Sequence, residues 1–86
     1  MSSGGLFPFM YHGSVSDLNN ATEAGFYSAV IQATNSPTYY PVVIVFRTNQ
    51  YIIQLAIELT VSGTLYERTG SNEGWLEWRK ITTTSL

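Results

Sequence analysis

Eighty-six residues without a cysteine make one domain near the lower size limit for folding without staples, and exclude disulfides, a thiolate nucleophile and sulfur-ligated metal. Charged residues are 12% against 44% apolar, and the net charge is −2. Four Lys+Arg are too few for phosphate-driven nucleic-acid binding or for an anionic membrane surface, and no apolar run approaches the ~20 residues of a spanning helix.

Met1-Ser2-Ser3-Gly4-Gly5 reads as a flexible leader without a basic region. Leu6-Phe7-Pro8-Phe9-Met10-Tyr11 is a dense apolar patch around a proline, which fits an edge or extended arm and needs a surface to sit on. It is too short and proline-broken for a signal core, so work outside a cell implies another exit, such as lysis. Ser16-Asp17-Leu18-Asn19-Asn20 offers an N-cap and a short helical turn, with Gly25 as its end. The chain thus divides into an arm or linker over 1–16, a β domain over 17–81 and a tail over 82–86.

Gly25 to Ala33 reads as a strand with Tyr27, Ala29, Ile31 and Ala33 on one face, Ser28 and Gln32 on the other. Thr34-Asn35-Ser36-Pro37 is a turn, and Thr38-Tyr39-Tyr40 leads into Pro41–Leu59. Within that segment Val42 to Phe46 is a β-branched run, apolar on both faces, and Arg47-Thr48-Asn49 turns the chain. The next strand alternates: Tyr51, Ile53, Leu55, Ile57 and Leu59 oppose Ile52, Gln54, Ala56 and Glu58. One face of Val42–Phe46 should pack within the subunit, the other against the Leu6–Tyr11 arm or a neighbouring copy. Ser62-Gly63 supplies a turn, Thr64–Thr69 alternates, Gly70–Gly74 is a loop, and Trp75–Ile81 closes the domain as a last strand. The expected fold is therefore all-β, a small antiparallel meander or sandwich of about five strands with an extended N-terminal arm.

Catalytic patterns are thin. His12, Ser14 and Asp17 supply the residue types of a triad but no nucleophile elbow. Glu73 and Glu77 superficially offer a glycosidase pair, yet Glu77 beside Arg79 and Lys80 reads as a wet outer face. One histidine and unspaced carboxylates hold no metal, and neither enzyme activity nor a cofactor is expected. Asn20-Ala21-Thr22 fits the glycosylation acceptor pattern, a short match that arises often by chance. Aromatics are in excess: six Tyr, four Phe and two Trp. Trp75 and Trp78 would face opposite sides of a regular strand unless a bulge intervenes. Their roles divide between packing, in the core or against a subunit, and contact with a ligand.

Asp17-Leu18-Asn19-Asn20-Ala21-Thr22-Glu23-Ala24-Gly25-Phe26-Tyr27 resembles the opening of pyocin-knob-like domains of phage and pyocin tail fibres. Ala33-Thr34-Asn35-Ser36-Pro37, the glutamine-bearing Asn49–Leu55, Leu65–Thr69 and the closing Gly74–Ile81 are similar to the family's later landmarks, in the same order. Where that family often carries glycines, this chain has Thr38-Tyr39-Tyr40-Pro41. The resemblance implies a homotrimer near the tip of a tail fibre, on a virion or phage-derived particle, attaching to bacterial cell-surface carbohydrate or another host receptor. The alternative is a module that only trimerises or registers the fibre. The loops set the expected ligand contacts at Asn35, Tyr39, Tyr40, Asn72 and Trp75.

Overall fold

The computed structural model describes residues 9–60 and 64–82. Seven strands form a single sheet: β1 (Met10–Asp17), β2 (Gly25–Thr34), β3 (Pro41–Arg47), β4 (Ile52–Glu58), β5 (Leu65–Ser71), β6 (Gly74–Trp75) and β7 (Arg79–Ile81). The order runs β1-β2-β3-β4-β5-β6, with β7 also paired to β5. The chain is all-β as expected, but as one curled mixed sheet with more strands than the five read from the sequence. Part of the expected arm, from Met10 to Ser16, joins the sheet with Asp17 as its edge strand and pairs parallel to β2. Leu6–Pro8, Ser62-Gly63 and most of the expected tail lie outside the described residues.

The parallel pair dictates what fills the core. After β1 the chain must return to the start of β2 in the eight steps from Asp17 to Gly25, at most about 29 Å of extended chain. A 3-10 turn at Leu18–Asn20 opens this return, capped by Asp17, whose carboxylate accepts from the Asn19 amide. Leu18 and Ala21 on the returning segment are fully buried and pack with Tyr27, Ala29, Ala33, Val43 and Val45. The return thus covers one face of the sheet, hereafter the inner face. The turn closes at Ala21, not at Gly25, which instead opens β2. There Gly25 has φ +137°, and a Cβ would collide with the Met10 carbonyl and the His12 ring, so close β1–β2 pairing requires glycine.

Strand register sorts the side chains. On the inner face Tyr27, Val43, Ala56 and Tyr66 lie in one row across β2–β5, and Val45, Gln54 and Arg68 in the next. On the outer face Phe26, Ile44 and Leu55 align, with Val42, Ile57, Leu65 and Ile81 beside them and Phe46 opposite Ile53. Phe9 reaches back over this face, its ring 5.9 Å from Phe46 and 6.2 Å from Phe26, and Tyr11 lies 5.3 Å from Phe26. The described end of the arm thus covers part of the outer face of Val42–Phe46.

Three local readings change. Ile31 is 54% exposed rather than inward, because β1 advances from Val15 to Asp17 while β2 advances from Ala29 to Thr34. The surplus residues bulge from the ladder, and Gln32 takes a left-handed φ of 58°. Gly70 and Ser71 belong to β5 and pair with Trp75 and Gly74, leaving only Asn72-Glu73 as the turn between them. The expected last strand breaks over 76–78 into β6 and β7. That break lets Trp75 and Trp78 stack on the same residue, Arg68, where a regular strand would set them on opposite faces.

Candidate binding cleft

The inner face is fastened by polar side chains, and these fix the loops around it. Gln54, fully buried on β4, donates from Nε2 to the carbonyls of Leu18 and Ala21 at 2.6 and 2.8 Å, and so ties the return segment to the sheet. Its Oε1 accepts from Arg68 Nε at 2.8 Å, while another Arg68 nitrogen donates to Asn19 Oδ1 at 2.8 Å. The Arg68 guanidinium carbon sits 3.9 Å from the Trp75 ring centroid and 4.6 Å from that of Trp78. Burial pulls this guanidinium down to about 10, against the charge of Asp17, so it stays cationic at neutral pH. Trp78 Nε1 donates to the Asn35 carbonyl, and Asn35 Nδ2 to Asp17 Oδ1. The Asn35 amide, the Asn19 backbone N–H and the Arg68 charge hold Asp17 below the ordinary carboxylate range.

Glu58 does the corresponding work at one end of β3. Its carboxylate accepts from the Tyr40 amide at 2.9 Å, the Thr38 hydroxyl at 2.7 Å, the Thr60 amide at 3.0 Å and the Thr60 hydroxyl. Burial alone would raise the carboxyl; these donors outweigh it and bring it to about 2. The loop carrying Tyr39 and Tyr40 is thereby held against the end of β4.

At the other end of β3 the 48–51 turn faces the Asn72-Glu73 turn across a cleft of about 500 Å³, lined by Arg47–Ile52 and Ser71–Glu73. Each turn is braced from within. Thr48 Oγ1 accepts from the amides of Gln50 and Tyr51 at 3.2 and 2.9 Å, and Ser71 Oγ from the Glu73 amide at 3.2 Å. Arg47 donates to the Thr22 carbonyl at 2.7 Å. Among the described residues the side-chain amides of Asn49, Gln50 and Asn72 and the Tyr51 hydroxyl have no protein partner. The cleft therefore offers neutral donors and acceptors, one cation balanced by one carboxylate, and a half-exposed aromatic ring at Tyr51.

Of the residues expected to meet a ligand, only Asn72 lines this cleft. Tyr39, exposed, and Tyr40 stand at the opposite end of β3, and Asn35 is near them but engaged with Asp17 and Trp78. Trp75 is half-buried on Arg68. The Arg47–Tyr51 side of the cleft was not singled out in the sequence. The signal was there, since alternate turns of an antiparallel meander fall at the same end, which places the β3–β4 turn beside the β5–β6 turn.

The triad types do not converge. His12 Nε2 donates to the Ala24 carbonyl at 2.7 Å with its ring on Tyr27, Ser14 bonds Ser28, and Asp17 bonds Asn19 and Asn35. Among the described residues no group of three or more His, Asp or Glu is placed to hold a metal ion, and no helix is long and apolar enough to cross a membrane. No family model, curated protein or solved structure matches the chain. The likeness to pyocin-knob-like domains rests on the residues quoted for it.

Proposed function

We propose that this chain is a non-enzymatic host-attachment module of a phage or prophage tail fibre, working as a homotrimer and recognising bacterial surface carbohydrate. The observation that carries the reading is the outer face of the sheet. Phe26, Phe46 and Ile53 are exposed there beside Val42, Ile44, Leu55 and Ile57, with the rings of Phe9 and Tyr11 packed against Phe26 and Phe46. Exposed apolar side chains gathered on one face of a sheet mark an interaction surface.

A second copy of the same chain suits this face. The rows through Val42–Ile57 and Phe46–Ile53 carry no charge, and the row through Ile44 and Leu55 ends in the mutually paired Glu67 and Arg79. No unbalanced charge therefore selects a charged partner, and apolar sheet faces pack on one another. Weak single-site contact with a surface glycan gains from the avidity of several copies on one fibre. The structural alternative, a module that only trimerises or registers the fibre, draws on the same face and needs no receptor.

Light scattering on the purified chain, paired with binding of labelled chain to bacterial cells and their purified surface polysaccharide, tests both. A trimer that binds cells supports attachment. A trimer that binds none while the intact fibre does favours the registration role, and a stable monomer overturns both.

A further inference from the structure

We infer that the cleft between the Thr48–Tyr51 turn and the Asn72-Glu73 turn is a subsite for a neutral sugar ring. The inference rests on the attachment reading and locates its contact. At about 500 Å³ the cleft falls within the ~300–1,000 Å³ of small-molecule sites. A pyranose presents adjacent hydroxyls that each donate and accept, and carboxamides such as those of Asn49, Gln50 and Asn72 answer both needs. The two turns satisfy backbone amides of their own through Thr48 and Ser71, which leaves the three carboxamides uncommitted.

Ligand class follows from the remaining groups. Arg47 and Glu73 balance in charge across the cleft, so an anionic ligand gains no net attraction over a neutral one. Tyr51, 48% exposed, offers an apolar ring face for the C–H side of a sugar and a hydroxyl for its rim. The opposite end of β3 lacks this combination, because Glu58 is consumed by Thr38, Tyr40 and Thr60.

The test uses the whole chain, unmodified and as the variants Tyr51→Ala, Asn72→Ala and, at the far end, Tyr39→Ala. Amide chemical shifts are followed on titration with glucose, galactose, N-acetylglucosamine and the anionic N-acetylneuraminic acid, alongside binding to bacterial cells. Folding of each variant is checked by its thermal midpoint. Perturbed shifts confined to the two turns with a neutral sugar, and at least about a tenfold loss of cell binding in Tyr51→Ala and Asn72→Ala but not in Tyr39→Ala, support the subsite. Cell binding equal in all four chains overturns the subsite and leaves attachment standing. Preference for the anionic sugar at the cleft overturns the ligand class. Absence of binding to both cells and sugars overturns the attachment reading, and the subsite with it.

Discussion

Gln54 and Arg68 stand directly opposite one another on β4 and β5, and the Gln54 side-chain oxygen accepts from Arg68 Nε at 2.8 Å in the buried interior. Around this pair the inner face of the sheet is built from small apolar residues and hydrogen-bonded polar ones. Its counterpart on the outer side of β4 carries Ile53, Leu55 and Ile57, more apolar and yet less buried. The inversion has a physical reason. The return segment crossing the inner face presents backbone carbonyls at Leu18 and Ala21, and buried carbonyls need donors more than they need methyl groups.

Replacing Gln54 by Leu should therefore destabilise the fold although it adds an apolar side chain. Two carbonyls lose a donor and the Arg68 guanidinium loses an acceptor, together a cost of about 3–5 kcal/mol from the usual worth of neutral and charge-assisted bonds. Urea unfolding of the variant beside the unmodified chain measures it. A change under about 1 kcal/mol would show that the tie is dispensable.

Arg68→Lys keeps the charge and removes the plane. The guanidinium lies against two indoles while bonding Gln54 and Asn19, a geometry an ammonium cannot reproduce. The expected loss is about 2–3 kcal/mol in stability, since a desolvated cation–π contact contributes about 2 kcal/mol. Near-UV circular dichroism should also lose intensity as Trp75 and Trp78 become mobile.

How much of this was legible in the sequence depended on which force each feature answers to. The β3 and β4 strands were legible because Val42–Phe46 is β-branched and Tyr51–Leu59 alternates. Alternation names two faces without saying which is inward, and here the crossing of Leu18–Ala24 decides it. β1 was missed as a sheet strand because Tyr11-His12-Gly13-Ser14 lacks a strand pattern and is held by partners distant in sequence, Tyr11 and Ser14 bonding Ser28. Trp75 and Trp78 were legible as a spacing but not as a stack, since the spacing does not show the break at 76–78 that brings both rings to Arg68, seven residues before Trp75. In the cleft, Asn72 stood out as a loop residue, whereas Asn49 and Tyr51 were read only as hairpin.

Stability should fall in acid through Glu58. The folded carboxyl titrates at about 2 against 4.5 when free. A depressed folded value means the ionised form is favoured by folding, so its contribution is full above about 4.5, fades as pH falls toward 2 and vanishes below. Asp17, also depressed, adds in the same direction. Thermal midpoints measured from neutral pH down through this window should decline. In Glu58→Gln the midpoint should be lower at neutral pH, because the new amide donors face the Thr38, Tyr40 and Thr60 donors, and the acid decline should be shallower. An unchanged acid slope in that variant would assign the decline to other groups.

Phe46→Glu separates assembly from folding. Phe46 is 50% exposed on the outer face, opposite Ile53 and beneath Phe9, so a carboxylate there can reach water in a single chain. Monomer stability should change by only about 1 kcal/mol, the lost contact with Phe9 included. Between two packed sheets the same carboxylate would be desolvated without a partner, a cost of several kcal/mol per copy. Light scattering should then report a single-chain mass for Phe46→Glu under conditions where the unmodified chain is a trimer, with the far-UV spectrum retained. If the variant keeps the oligomeric mass, the copies meet elsewhere, and the free edge of β1 becomes the next surface to block. Val43→Glu, on the fully buried inner side of the same strand, should instead unfold the chain, which would show that the two faces of β3 serve the fold and the assembly separately.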